Sequence, residues 1–154
     1  MKILLTGGTG YIAQRLLPVL LDKGHEVTCC VRDRKRFNSG KYGSDALSVI
    51  EADFLKPETL LSIPGNIDAA YYLIHSMSTS SGDFEKMEEI SAINFRDAIQ
   101  KTKARQVIYL SGIVNEEKLS KHLSSRKNVE GILASGSYAL TTLRAGIIIG
   151  SGSA

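Results

Sequence analysis

The sequence has few of the residues that mark special classes of protein. Its 154 residues include two cysteines, three prolines and no tryptophan, and aromatic residues make up 6%. So little proline excludes a collagen-like chain, and a hydrophobic share of 43% excludes a disordered one. At about 100 to 200 residues per domain, this length predicts one domain with a single core.

Long apolar segments are also missing. No apolar run approaches the roughly 20 residues that a membrane-spanning helix needs, and the first residues resemble a buried strand rather than a signal peptide. These features predict a cytoplasmic protein with no membrane partner. The net charge of +3 favours small anionic ligands and is too small to indicate nucleic-acid binding.

The two cysteines, Cys29 and Cys30, are neighbours in the sequence. On a strand their side chains point to opposite faces, so they cannot easily form a disulfide, and we expect both to pack in the core. No set of histidine, cysteine and carboxylate residues has metal-ligand spacing, so the sequence predicts no metal site.

Short apolar runs rich in β-branched residues alternate with helical stretches along the chain. The runs cover residues 3–5, 27–31, 47–50, 69–74, 107–110 and 143–149. This alternation predicts βαβ units, and the continuous apolar character suits strands covered by helices on both faces. With right-handed crossovers, the simplest topology is a doubly wound, mostly parallel α/β sheet, the Rossmann fold, in three α/β/α layers with strand order 3-2-1-4-5-6.

Three helices are predicted between these runs. The first covers residues 11–23, contains Pro18 and stops before Gly24. The second covers residues 83–103, with Glu88 among the polar residues away from its apolar stripe, which contains Phe84, Met87, Ile90, Asn94, Ala98 and Ile99. The third covers residues 122–134. Segments 34–44 and 76–82 are predicted to be the least ordered, and both follow strands, where such folds bind ligands.

A glycine-rich loop follows the first predicted strand. Residues 3–10 read ILLTGGTG, and Gly7, Gly10 and Ala13 have the spacing G-x-x-G-x-x-A. Because the loop leaves a strand and opens a helix, its amide groups can meet a pyrophosphate along the helix dipole. The alternative is a turn that needs glycine only for its backbone angles. The residues expected to contact a dinucleotide here are Gly7, Gly8, Thr9, Gly10, Tyr11 and Ile12.

The residues after the second predicted strand bear on the choice of cofactor. A carboxylate at the strand end would accept hydrogen bonds from the ribose of NAD, whereas an arginine can bind the 2′-phosphate of NADP. Val31 occupies the expected position of the acid, and Arg32 follows it. The sequence therefore favours NADP(H) over NAD(H), with Arg32 and Arg36 as candidate phosphate ligands. In the alternative interpretation these are solvated loop charges, and Asp33 turns inward to bind NAD.

With TGGTGYIA near its start, the whole chain resembles the short-chain dehydrogenase/reductase superfamily. It is nearest the extended and atypical branches, which include nucleoside-diphosphate-sugar epimerase-like and NmrA-like NAD(P)-binding proteins. The resemblance implies an NAD(P)-dependent oxidoreductase or epimerase. It also implies that Asp53, followed by Phe54, contacts adenine and that Asn94 corresponds to a family asparagine.

Two further segments carry the resemblance. VIYLSG resembles the fifth strand with its active-site serine, which corresponds to Ser111. LRAG, which begins at Leu143, resembles the family's L-R-P-G segment, except that Ala145 replaces proline.

The catalytic tetrapeptide departs from the family pattern. Reducing and epimerising members carry Tyr-x-x-x-Lys, but here His122 stands at the tyrosine position and Arg126 at the lysine position. Arg126 can hydrogen-bond a ribose diol but cannot release a proton at neutral pH. His122 is a candidate general acid; the alternative is an exposed polar residue at a helix start.

The end of the fourth predicted strand supplies more candidates. Leu73, Ile74 and His75 lie where doubly wound sheets bind ligands, so we expect them to line the cofactor pocket. For His75 the alternative is a loop histidine without a ligand. The tyrosines, by contrast, are expected to be core or interface residues rather than proton donors; these are Tyr71, Tyr72, Tyr109 and Tyr138.

Extended members of the superfamily continue into a substrate-binding lobe, whereas this sequence stops after the sixth strand. We expect residues 1–154 to be the nucleotide-binding domain of a longer protein. Two functions stay open: an oxidoreductase or epimerase-like enzyme acting on an unknown small molecule, and a non-catalytic dinucleotide sensor or scaffold for a partner protein. A homodimer formed through the second and third helices is a further expectation.

Overall fold

The computed structural model describes residues 1–75, 84–113 and 121–151, and at Lys121 and His122 it describes the backbone only. These ranges contain six strands and three α-helices. In chain order they are β1 (Lys2–Leu5), α1 (Tyr11–Asp22), β2 (Glu26–Val31), β3 (Leu47–Glu51), β4 (Ala69–Tyr72), α2 (Phe84–Ile99), β5 (Gln106–Gly112), α3 (Lys121–Ala134) and β6 (Ala139–Ala145).

The strands form one parallel sheet in the order β3-β2-β1-β4-β5-β6. The predicted Rossmann-like α/β fold is therefore confirmed. Leu5, at the end of β1, pairs with Cys29 of β2 on one side and with Tyr71 of β4 on the other. The chain reverses its winding direction at β1, which opens a crevice at the carboxyl ends of these three strands.

Each face of the sheet carries its own apolar cluster. On one face, buried residues of β1, β4 and β5 pack against Phe95 of α2 and Leu133 of α3. On the other face, buried residues of β1 and β2 pack against Leu17 of α1. This arrangement gives the three predicted layers and explains why the strands are continuously apolar.

Cys29 and Cys30 belong to opposite clusters, as predicted, and both thiols are free. Burial raises the pKa of Cys29 to about 12 and raises that of Cys30 further. Both thiols therefore stay protonated and act as small apolar side chains.

Helix α1 ends as predicted. Gly24 has a positive φ of 75°, and its N–H donates to the Leu21 carbonyl. Pro18 lies inside the helix, where it lacks a backbone donor but does not end the helix.

The predicted sixth strand was misplaced. It was expected at residues 143–149, but β6 begins at Ala139, immediately after the short connection from α3, and pairs along the whole of β5. As an edge strand with alternating exposure, β6 does not need a continuous apolar run. Ile147 and Ile149 lie beyond the sheet and are 92% and 88% exposed.

The apolar stripe of α2 was also predicted in the wrong phase. Glu88 was placed among the polar residues but is 4% exposed, whereas Ile90 is 37% exposed. The helix ends at Ile99 rather than at residue 103. The segment predicted at 34–44 contains two short 3₁₀ turns, Arg34–Arg36 and Ser39–Tyr42, and the one predicted at 76–82 lies outside the described residues.

Phe95 is the central aromatic residue of the larger cluster and is fully buried. Its ring centroid lies 4.7 Å from that of Tyr72 and 5.7 Å from that of Phe54. Phe95→Ala is expected to lower the free energy of unfolding by about 3 to 5 kcal/mol, because it removes these contacts and leaves a cavity. Urea denaturation measures the change, with Leu61→Ala as the control because Leu61 is 85% exposed. A loss no larger for Phe95→Ala than for the control would contradict this packing.

Candidate functional site

A cleft of about 400 Å³ lies at the carboxyl ends of β1, β2 and β4. Its volume falls in the range typical of small-molecule and cofactor sites. Most of the predicted cofactor-contacting residues line it. They are Gly7, Gly8, Thr9, Gly10, Tyr11, Ile12, Arg32, Asp53, Phe54, Leu73, Ile74, His75 and Arg126.

The glycine loop runs very close to the neighbouring strands. Gly7 has a φ of 67°, and a Cβ there would lie 3.0 Å from the Leu73 carbonyl oxygen. A Cβ on Gly8 would lie 2.3 Å from Cys29 Sγ, while the Gly8 N–H donates to the Cys30 carbonyl at 3.1 Å. The loop therefore has no room for side chains at Gly7 and Gly8, and its backbone forms the floor of the cleft.

The loop leads directly into α1. Gly10 is the N-cap residue, its backbone is extended, and no side chain caps the helix. The first amide groups of an α-helix have no acceptor within the helix, and they carry the positive end of its dipole. Tyr11, Ile12 and Ala13 supply these amides and all line the cleft. This end of the cleft is suited to an anionic group.

The charged residues after β2 differ in their positions. Arg32 lines the cleft, whereas Arg36 lies outside it in an exposed 3₁₀ turn. The Asp33 carboxylate accepts a hydrogen bond from the Lys35 N–H at 2.9 Å and so caps that turn. Asp33 is not among the cleft-lining residues.

Lys41 is a further basic residue, and two hydrogen bonds through Gln14 link it to the glycine loop. Lys41 Nζ donates to Gln14 Oε1 at 3.1 Å, and Gln14 Nε2 donates to the Thr9 carbonyl at 2.9 Å. The sequence analysis missed this link because Lys41 lies 27 residues from Gln14 in a loop with no regular pattern.

The loop after β3 is fixed by its own hydrogen bonds. Asp53 Oδ1 accepts from the Leu55 N–H at 3.0 Å, and the Asp53 N–H donates to Thr59 Oγ1 at 2.9 Å. Asn94 of α2 donates to the Phe54 carbonyl at 2.7 Å. Asn94, which the sequence singled out, therefore holds in place the backbone of a loop that forms one wall of the cleft.

The predicted catalytic residues are not all brought together. Arg126 lines the cleft and donates to the Leu110 carbonyl at 2.8 Å. Ser111 is 4% exposed and does not line the cleft, and its hydroxyl has no hydrogen-bond partner among the described residues. His122 lies in the first turn of α3, but its side chain is outside the described part of the chain.

The tyrosines near this end are core residues. Tyr72 and Tyr109 are each 1% exposed, and burial raises the pKa of both phenols. The positive charge of Arg126 opposes this rise at both residues. The phenols therefore stay protonated at neutral pH and contribute packing.

A buried carboxylate lies behind the cleft. Glu88 Oε1 lies 2.8 Å from His75 Nδ1, and Glu88 Oε2 accepts a hydrogen bond from Ser125 Oγ at 2.5 Å. Sequence reasoning missed this arrangement because the three residues come from separate segments. It also missed several wall residues of the cleft, which are Leu55, Met87, Ser91, Leu110 and Ile148.

Two features are absent from the residues that the structure describes, a metal site and a membrane-spanning helix. No three histidine, cysteine or carboxylate side chains in those ranges are grouped so that they could hold a metal ion. None of the described helices has the length and apolar character needed to cross a membrane.

Comparison with known proteins agrees with this geometry. The NAD(P)H-binding family matches residues 7–148. The photosystem II assembly factor Ycf39 of Synechocystis sp. is 29% identical over 112 residues, which cover 72% of this chain and 33% of that protein. The chain thus spans about a third of the length of this relative.

Solved structures show the same fold at low sequence identity. The enzyme WbmG of Bordetella bronchiseptica, in complex with NAD, has a TM-score of 0.76 at 18% identity, covering 94% of this chain and 52% of that one. The NADPH-dependent quinone oxidoreductase QOR2 of Escherichia coli, complexed with NADPH, has a TM-score of 0.74 at 19% identity, covering 92% and 48%. Because the family match covers the glycines of the loop, the residues that line the cleft and five of the six strands, the chain belongs to the NAD(P)H-binding family.

Proposed function

We propose that the chain binds NADP(H) in the cleft and forms the nucleotide-binding part of an atypical short-chain dehydrogenase/reductase-like oxidoreductase or epimerase. One observation carries this proposal. The backbone at Gly7 and Gly8 leaves no space for a side chain, and Arg32 lines the same cleft. The substrate-binding part would belong to a longer protein, in keeping with the share of its relatives that the chain covers.

The glycine loop and the first turn of α1 would hold the pyrophosphate. Gly7 and Gly8 let the phosphates approach the backbone, because a Cβ at either position has no space. The amides of Tyr11, Ile12 and Ala13 would then donate to phosphate oxygens at the positive end of the helix dipole. These groups also fit the pyrophosphate of NAD, so they do not distinguish the two cofactors.

The end of β2 supports NADP(H) over NAD(H). Val31 has an apolar, buried side chain, and Asp33, which caps the next turn, is not among the cleft-lining residues, so neither is placed to accept from a ribose 2′-hydroxyl. Arg32 lies at the cleft and would pair with a 2′-phosphate through charge-assisted hydrogen bonds. We propose that Arg36, which lies outside the cleft, contributes less than Arg32 to binding of the 2′-phosphate.

The walls of the cleft would hold the rest of the dinucleotide. Asp53 and Phe54 would lie against the adenine, and Leu73 and Ile74 would cover the middle of the cofactor. Arg126 would donate hydrogen bonds to a ribose diol, as the lysine of the family does. The bound dinucleotide would supply or accept a hydride, and the proton that accompanies it must come from another group.

A second function, a non-catalytic scaffold that binds the dinucleotide, is favoured by one observation. At the positions that we assign to the family's Tyr-x-x-x-Lys pair, the chain would carry His122 and Arg126, and an arginine does not release a proton at neutral pH. One relative is named as an assembly factor rather than as an enzyme. The two functions differ in turnover: the enzyme oxidises NADPH with a carbonyl or quinone from a test panel, whereas the scaffold binds NADPH without oxidising it.

Arg32→Ala tests the choice of cofactor. The variant is expected to bind NADPH at least about tenfold more weakly, a loss of about 1.4 kcal/mol, because the 2′-phosphate loses its cation. NADH has no such phosphate, so its affinity should change little. Calorimetric titration with NADPH, NADH, NADP and NAD gives all four affinities. Arg36→Ala is the matched control, because it removes the same charge from outside the cleft; an equal loss in both variants would contradict a specific role for Arg32.

Gly8→Ala tests the phosphate cradle. The new methyl group would meet Cys29 Sγ, so the loop must shift, and we expect at least about tenfold weaker binding of all four dinucleotides. Gly65→Ala is the control, because a Cβ at Gly65 meets nothing within 4 Å. Adding Cys29→Ala removes the atom that the methyl meets and should restore part of the affinity. Undiminished binding by Gly8→Ala would exclude the glycine loop as the phosphate site.

A further inference from the structure

Glu88 is a carboxylate buried in the core face of α2. Only 4% of the residue is exposed, and it lies one helical turn from Ala92, which is fully buried. A buried carboxylate is strongly destabilising unless hydrogen bonds replace its water. Ser125 of α3 donates to one of its oxygens at 2.5 Å, and the imidazole of His75 meets the other at 2.8 Å. This position of Glu88 therefore depends on both partners.

His75 connects this buried carboxylate to the cleft. Its side chain is 28% exposed and lines the cleft, whereas Glu88 does not reach the cleft. With Glu88 ionised, its oxygens can only accept, and the 2.8 Å contact assigns a proton to Nδ1. In the neutral ring, Nε2 is then the acceptor, and it has no hydrogen-bond partner among the described residues. Glu88 thus fixes the tautomer of His75 and leaves Nε2 for a ligand.

The other polar groups near this pair do not exchange a proton readily at neutral pH. Arg126, from α3, stays protonated. Tyr72 of β4 and Tyr109 of β5 also stay protonated, because burial raises the pKa of both phenols and the negative charge of Glu88 raises it further. The imidazole of His75, by contrast, has in Nε2 a ring nitrogen that can either donate or accept a proton.

We infer that His75 exchanges a proton through Nε2 with the substrate bound in the cleft, and that Glu88 is its positioning residue. This inference rests on the proposed function and supplies the proton donor that the missing tyrosine would provide. In the reduction of a substrate carbonyl, the carbon would receive the hydride that NADPH supplies, which leaves NADP, and the oxygen would take the proton from Nε2 of the imidazolium. The ring, now neutral, keeps the proton on Nδ1 and still donates it in a hydrogen bond to Glu88. A proton from solvent then restores the proton on Nε2. In the oxidation of a hydroxyl, Nε2 accepts the proton.

Nitrogen NMR of the ¹⁵N-labelled chain tests this inference. The chain has three histidines, and His25→Asn and His122→Asn identify the signals of the other two. At a pH where the ring is neutral, His75 is expected to be protonated at Nδ1 and unprotonated at Nε2. Glu88→Met removes the acceptor, so the population should move toward the Nε2–H form. Glu89→Gln is the matched control, because Glu89 is the exposed neighbour on the same helix and its substitution should leave the tautomer unchanged.

The second arm adds saturating NADPH, whose binding is followed separately by its fluorescence. The His75 Nε2 signal should shift, because the nitrogen then lies in the occupied cleft, and the His25 signal should not. A wild-type ring protonated only at Nε2 would overturn the inference, as would an unchanged Nε2 signal in a chain shown to bind NADPH. If NADPH does not bind, the proposed function fails, and the inference falls with it whatever the tautomer. The wild-type and NADPH measurements decide the question even if Glu88→Met does not fold.

Discussion

The close contact between the loop after β1 and the backbones of two neighbouring strands is the constraint on which the rest of the site depends. On the β2 side, the Gly8 N–H bonds the Cys30 carbonyl at 3.1 Å. On the β4 side, the buried Thr6 hydroxyl donates to the Tyr71 carbonyl and accepts from the Leu73 N–H, each at 2.9 Å. Any side chain at Gly7 or Gly8 would separate these backbones. From this contact the loop leads to the N-cap residue Gly10 and to the first turn of α1, whose residues line the cleft.

The two ends of the cleft are built in different ways. At the glycine end, backbone groups form the floor of the cleft. Their positions follow from a short continuous segment and its neighbouring strands. At the other end, side chains from the loop after β4, from α2 and from α3 meet through Glu88, which accepts from Ser125 and contacts His75. Backbone donors keep their charge state at all pH values, whereas a histidine and a carboxylate do not. The proton transfer that we infer belongs to the second end, where His75 lines the cleft.

This difference explains which features of the fold and the cleft could be predicted from the sequence and which could not. The strand order, the three layers and the position of the glycine loop follow from local patterns: apolar runs, helical spacing and glycines between a strand and a helix. The burial of Glu88 could not be predicted, because its partners lie 13 and 37 residues away and its own surroundings resemble a solvated helix face. Strand β6 was misplaced because an edge strand needs only one apolar face, while the continuous run beyond it suggested a central strand.

The placement of Glu88 also bears on the relative position of α2 and α3. An amphipathic stripe alone would let two helices slide relative to each other, because apolar contacts have little directional preference. The hydrogen bond between Ser125 of α3 and Glu88 of α2 has a defined geometry, so it favours one relative position of the two helices. Arg126 follows Ser125 directly on α3, and its guanidinium bonds the Leu110 carbonyl at the cleft. Two cleft-lining side chains are thus connected to Glu88, which does not itself line the cleft: His75 by direct contact, and Arg126 through its neighbour Ser125.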